Sequence, residues 1–171
     1  DCEENRNKMT TQANDKLTAE ARHRDEIVLT NYISRNPIIR SLLNNFMARI
    51  GQVLTKIQAI DFRGLDVGCG EGHLLAYLYE HQLVSDMVAI DLDQRKLDYA
   101  QRHYPFCRYQ LGNIQELEFD CNTFDFVLST EVFEHLPDPA RALEELERVA
   151  KPAAHIIISV PFEPFFHWGN L

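Results

Sequence analysis

The sequence predicts an α/β fold, an open parallel sheet covered by helices on both faces. Short apolar runs alternate with helical segments from residue 63 onward, and a glycine loop separates the first such run from its helix. No internal repeat or low-complexity tract breaks the alternation.

The elements follow in order. Residues 1 to about 24 are polar, rich in Asn, Lys, Glu and Thr, and hold too few apolar side chains for a core. Residues 1–36 are therefore read as a partly mobile N-terminal arm, and Met9 marks an alternative start. The core is assigned to residues 37–171. Asn36 suits an N-cap and Pro37 a first helical position, and Ile39, Leu42, Leu43, Phe46, Ile50, Val53, Leu54 and Ile57 keep one face apolar, so an amphipathic helix is expected over 37–58. Strands are expected at Arg63–Val67, Met87–Ile90, Cys107–Leu111, Phe124–Ser129 and His155–Val160. Helices are expected at 72–82, 92–102 and 138–150, the last opened by Asp138 as N-cap and Pro139 behind it. Right-handed crossovers then make an open twisted sheet the natural outcome.

At 171 residues and 45% hydrophobic, the chain is sized for one main domain. Its 17 basic against 26 acidic residues give a net charge of −9, which disfavours a nucleic-acid partner. The four cysteines form no CxxC pair, so neither zinc nor a disulfide framework is indicated. No stretch reaches the roughly 20 apolar residues of a membrane span, and the N-terminus has no apolar signal core. A cytoplasmic protein is expected.

The chemistry is concentrated in Leu65-Asp66-Val67-Gly68-Cys69-Gly70-Glu71-Gly72. Glycines after a strand let backbone approach a ligand closely, and the helix that follows presents free N–H groups to it. A dinucleotide-binding loop favours GxGxxG around a pyrophosphate, whereas this loop is GxGxG preceded by Asp66. A carboxylate beside the loop repels a pyrophosphate and suits S-adenosylmethionine, which carries a sulfonium and an ammonium but no phosphate. Asp91 ends the second strand 19 residues after Gly72, close to the ~20-residue spacing of a ribose-binding acid. A solvated strand-end aspartate is the plainer alternative there, as incidental turn glycines are for the loop.

Taken with Gly112-Asn113-Ile114 after the third strand and Phe124-Asp125-Phe126-Val127-Leu128-Ser129-Thr130-Glu131-Val132-Phe133-Glu134-His135-Leu136 at the fourth, these motifs resemble those of the class I S-adenosylmethionine-dependent methyltransferases. The likeness is nearest to the type 11-like small-molecule group, which includes quinone-biosynthesis enzymes, and runs from about Asn36 to the end. It implies a Rossmann-like sheet in the order 3-2-1-4-5 and cofactor contacts from Asp66, Gly68, Cys69, Gly70, Gly72, Asp91, Leu92, Asn113, Ile114 and Thr130. The family commonly has Asp at Asn113, accepting from the adenine amino group, with Ile114 covering the ring; asparagine keeps an acceptor oxygen. Ala153-Ala154 stands where the family usually has a glycine pair.

Methyl transfer requires alignment and desolvation of the nucleophile, and a proton acceptor only for a hydroxyl, amine or acidic carbon. His135 and Glu131 are the expected catalytic residues, with a structural histidine bonded to backbone as the alternative. The Glu131/Glu134/His135 cluster resembles a divalent-metal arrangement of some methyltransferases, yet no complete ligand set is evident and no metal is assigned. The chain ends soon after the fifth strand, where such enzymes continue through a further helix and an antiparallel strand pair, so it reads as truncated. The aromatic stretch Val160–Trp168 then predicts an exposed surface and homodimerisation. The expected function is methyl transfer to a small or lipid-like acceptor. A noncatalytic S-adenosylmethionine-binding module and an NAD-dependent dehydrogenase are the alternatives.

Overall fold

The computed structural model describes residues 36–160. The polar arm before Asn36 and the aromatic run after Val160 lie outside the described residues, as does any dimer surface built from them. The chain divides after Phe46 into two units, and the strands of the described residues all lie in the second.

Helix α1 spans Pro37–Lys56. At its start the Asn36 Oδ1 accepts the Ile38 N–H at 2.9 Å, the expected cap. Within the second unit its Met47, Ile50, Gly51 and Leu54 are buried, and Gly51 faces Leu83, Tyr77 and Leu78, where a Cβ would come within 2.8 Å of Leu83. Of the expected apolar face within this unit, Val53 is exposed.

The remaining elements are β1 (Arg63–Val67), α2 (His73–Glu80), β2 (Asp86–Asp91), α3 (Gln94–His103), β3 (Arg108–Leu111), β4 (Phe124–Thr130), α4 (Pro139–Val149) and β5 (Ala150–Ser159). Among the described residues these strands pair only in parallel, in the order β3-β2-β1-β4-β5. The expected fold class and strand order both hold. Buried on both faces, β1, β2 and β4 read as nearly continuous apolar runs, the signature of a parallel sheet between helical layers. On one face Leu65, Val67, Val88, Ile90 and Val127 pack with Ala142, Leu146 and Val149 of α4, and Ile114 and Leu117 join them from the loop after β3. Alternate residues point to the opposite face. Among these is Gly64, where a Cβ would come within 2.3 Å of Phe126 and 2.4 Å of Met87, so that the central strand is kept thin for its two neighbours.

Caps and breakers set the element ends. Asp93 caps α3 by accepting the Arg95 N–H, which starts the helix two residues later than apolar periodicity suggests. Asp138 caps α4 by accepting the Arg141 N–H, with Pro139 behind it as expected. A 3-10 turn at Phe133–His135 follows β4, an element the sequence pattern did not announce.

The fifth strand begins at Ala150, five residues before the expected His155. Phe124 pairs with Ala150 and Phe126 with His155, so the chain bulges over Lys151-Pro152-Ala153-Ala154. Pro152 has no N–H to give to the ladder, and Ala153 adopts φ 65°, the left-handed conformation that a glycine would take at no cost. Replacing Ala153 with Gly is expected to stabilise the fold by roughly 1 kcal/mol. Urea unfolding measures this directly; an unchanged or lower midpoint would show that the bulge carries no strain.

Candidate functional site

The carboxyl ends of β1, β2, β3 and β4 converge on one side of the sheet, at the place where its strand order reverses, and open sheets of this kind bind ligands there. A cleft at this edge is lined by Val67, Gly68 and Gly70 from β1 and its loop, Asp91, Leu92 and Lys96 from β2 and α3, Gly112 and Ile114 after β3, and Glu131, Val132, His135 and Leu136 after β4.

Backbone hydrogen bonds lace these strand ends together. Gly68 and Cys69 both donate to the Ile90 carbonyl, at 2.8 and 3.0 Å, and Gly112 donates to the Asp91 carbonyl at 3.1 Å. The Asp91 carboxylate completes the lacing: Oδ2 accepts the Gly70 N–H and Oδ1 the Asp93 N–H, each at 2.9 Å. The acid is thus held rigidly at the cleft wall, and each oxygen keeps acceptor capacity for a ligand hydroxyl.

Two loop positions need glycine for different reasons. Gly68 has φ +80°, and a Cβ there would lie 2.3 Å from Cγ2 of Val132. Gly70 has φ +56° and faces open space, with no other part of the described residues within 4 Å of where its Cβ would be. A ligand can therefore meet bare backbone at Gly70.

Asp66 is placed otherwise than the electrostatic reading of the loop assumed. It is 1% exposed, its Oδ1 has no hydrogen-bond partner among the described residues, and it lies beneath the loop without lining the cleft. Burial, reinforced by the Asp91 charge, raises its pKa from 3.8 to about 7. The folded chain thus keeps a proton that the unfolded chain releases near pH 4. This group favours folding most below that pH, and its contribution is lost as pH rises through about 7. Asp66→Asn, close in shape and uncharged, is expected to flatten the decline. Urea midpoints at about pH 5 and 8 measure it, and a slope as steep as the parent's would contradict the assignment.

Of the other expected cofactor contacts, Gly68, Gly70, Asp91, Leu92 and Ile114 line the cleft, whereas Cys69, Gly72, Asn113 and Thr130 are not among its lining residues. Gly72 is the left-handed N-cap of α2, packed toward Ala100 and Tyr104. Asn113 is exposed, and its Oδ1 accepts the Gln115 N–H at 3.0 Å, so its amide oxygen already closes a turn. Val67, Lys96, Gly112, Val132 and Leu136 also line the cleft; all but Lys96 lie in the quoted motifs, yet none was expected as a cofactor contact. Of these, Lys96 had a usable signal, lying in the first turn of the helix that follows Asp91.

Both expected catalytic residues reach the cleft. Glu131 has φ 58°, an uncommon conformation for a side chain of this size, and its N–H donates to the Ser159 carbonyl at 3.0 Å. Partial burial and the neighbouring Glu134 hold its carboxyl above the usual range. The His135 side chain is 78% exposed, with Nε2 3.9 Å from Glu134 Oε1. Among the described residues, no group of three or more His, Cys, Asp and Glu side chains is arranged to hold a metal ion, and no helix is long and apolar enough to cross a membrane.

Comparison with known proteins places this geometry among relatives. The profile of a family described as "Methyltransferase domain" matches residues 65–158. An uncharacterized methyltransferase of Schizosaccharomyces pombe is 34% identical over 105 residues, covering 55% of this chain and 38% of that protein. A ubiquinone biosynthesis O-methyltransferase of Coxiella burnetii is 31% identical over 109 residues, covering 60% of this chain and 46% of that protein. The chain thus spans less than half the length of these curated relatives. Among solved structures, an S-adenosylmethionine-dependent methyltransferase from Aquifex aeolicus superposes with a TM-score of 0.55 at 29% identity, over 63% of this chain and 62% of that one.

Proposed function

The chain belongs to the methyltransferase domain family, and from that premise we propose that its cleft binds S-adenosylmethionine and that the protein passes the methyl group to a small or lipid-like acceptor. The observation that carries the proposal is the clasp of Gly70 N–H on Asp91 Oδ2 at 2.9 Å, which fixes a bare glycine backbone and a ribose-ready carboxylate on one cleft. The residues present fit the group. Asp91 and Glu131 give the cleft two acidic side chains suited to a cationic ligand, the open face at Gly70 admits close approach, and Leu92 and Ile114 supply apolar cover. When bound, S-adenosylmethionine supplies a methyl group on a sulfonium, already activated for displacement.

The chain's own contribution is to bind, orient and accept a proton. Asp91 would hold the ribose hydroxyls and Ile114 the face of the adenine. Glu131 is the better-placed proton acceptor: its raised pKa makes it the stronger carboxylate base, and its backbone is tied to the end of β5. His135, largely in solvent, would assist at the mouth. The ubiquinone-pathway relative supports a hydroxyl acceptor.

Transfer of an isotope-labelled methyl from S-adenosylmethionine to a panel of phenolic and quinol acceptors tests the function. Glu131→Gln is expected to lower turnover about 100-fold with S-adenosylhomocysteine binding retained, the usual size of a general-base effect. His135→Gln is expected to lower it less. No labelled product with any member of the panel would count against this acceptor class, and full activity in Glu131→Gln would remove the residue from the chemistry.

A further inference from the structure

The loop that carries Gly112 and Ile114 into the cleft has little secondary structure of its own. Asn113 and Glu116 form an isolated bridge, and the next strand begins only at Phe124. It is held instead by α4. The Glu145 side chain, 4% exposed, accepts the Leu117 N–H on Oε2 at 2.8 Å. The Arg148 guanidinium donates to both Glu145 oxygens, at 3.0 and 2.8 Å, and reaches past them to the Leu117 and Phe119 carbonyls, each at 2.7 Å. Both backbone groups of Leu117 are thereby fixed by one bidentate pair three residues apart on a helix. Arg141 adds a contact to Glu145 at 3.3 Å, and Gln115 Nε2 donates to the Asp138 carbonyl at 3.0 Å, so the loop meets the N-cap of the same helix.

A buried ion pair contributes little net stability relative to a well-packed apolar pair, but it fixes geometry, because every lone pair and proton in it demands a partner. Here the partners are backbone atoms three to five residues from Ile114. We infer that Glu145 and Arg148 are positioning residues for the cofactor: they set the height of the 112–119 loop, and with it the wall that Gly112 and Ile114 give to the cleft. The inference rests on the S-adenosylmethionine reading of that cleft. It explains why a paired Glu and Arg occupy an otherwise apolar face of α4, alongside Ala142, Leu146 and Val149.

Arg148→Lys keeps the charge but loses the planar fork that spans a carboxylate and two carbonyls. In the full chain it is expected to speed exchange of the Leu117 amide about tenfold relative to β1 amides, and to weaken S-adenosylhomocysteine binding about tenfold by calorimetry. Val84→Ala, a buried truncation away from this loop, lowers general stability and is expected to leave that affinity within twofold. Equal affinity in Arg148→Lys and the parent, or an equal loss in Val84→Ala, would overturn the inference while leaving the cleft reading intact. No binding by the parent chain would overturn both.

Discussion

Truncating Glu145 to alanine is expected to cost about 1–3 kcal/mol of folding stability, the range for leaving a buried hydrogen-bonding group without its partner, because Arg148, 33% exposed, can turn to water. The loss is large because the Leu117 N–H is left buried without an acceptor and Arg148 loses both carboxylate contacts. Domains of this kind are stable by only about 5–15 kcal/mol, so a loss of this size is readily measured. Acid should imitate the substitution. Arg148, followed by the Leu117 amide and Arg141, depresses the Glu145 pKa from 4.5 to about 2. The stabilisation is complete above the unfolded pKa and is lost as pH falls through about 2. Urea unfolding of parent and variant at about pH 7 and 3 measures both effects. A loss below about 1 kcal/mol at neutral pH would show that the network is dispensable to the fold.

The second large effect is expected at Gly68. Gly68→Ala places a Cβ 2.3 Å from Val132 Cγ2 on a residue with φ +80°. The left-handed backbone costs roughly 1–2 kcal/mol for an L-residue and overpacking about 1–3 more. The strain can be relieved only by moving Gly68 or Val132, and both line the cleft. S-adenosylhomocysteine affinity should therefore fall at least about tenfold, equivalent to 1.4 kcal/mol. The expected result is a lower melting temperature together with weaker binding by calorimetry. A variant that melts lower yet binds as tightly as the parent would mean that the Gly68–Val132 approach is structural only.

The sheet was legible in the sequence because its central strands are buried on both faces, which leaves unbroken apolar runs, and because Asp138-Pro139 and Asn36-Pro37 announce their helices. The bulge at 151–154 was not, since alanine itself does not mark a left-handed position and the glycine pair of the resembled family at Ala153-Ala154 was its one sign. The loop glycines and Asp91 could be placed because spacing along the chain fixes what lies at a strand's end. Spacing cannot report depth: Asp66 precedes Gly68 by two residues yet lies buried under the loop, and Asn113 spends its amide oxygen on its own turn. The role of Glu145 and Arg148 was hidden for a related reason. In sequence they are one more acidic-basic pair on a charged helix, and only the fold brings Leu117 and Phe119 to them.

The central claim, that the cleft holds S-adenosylmethionine on a glycine loop clasped to Asp91, is tested most directly by calorimetric titration of the chain with S-adenosylmethionine, S-adenosylhomocysteine and NAD, repeated with Asp91→Asn. The two sulfur nucleosides are expected to bind one-to-one, at least tenfold more weakly in Asp91→Asn, or about 1.4 kcal/mol, and NAD is expected not to bind. Binding of NAD without S-adenosylmethionine, or affinity unchanged by Asp91→Asn, would contradict the claim.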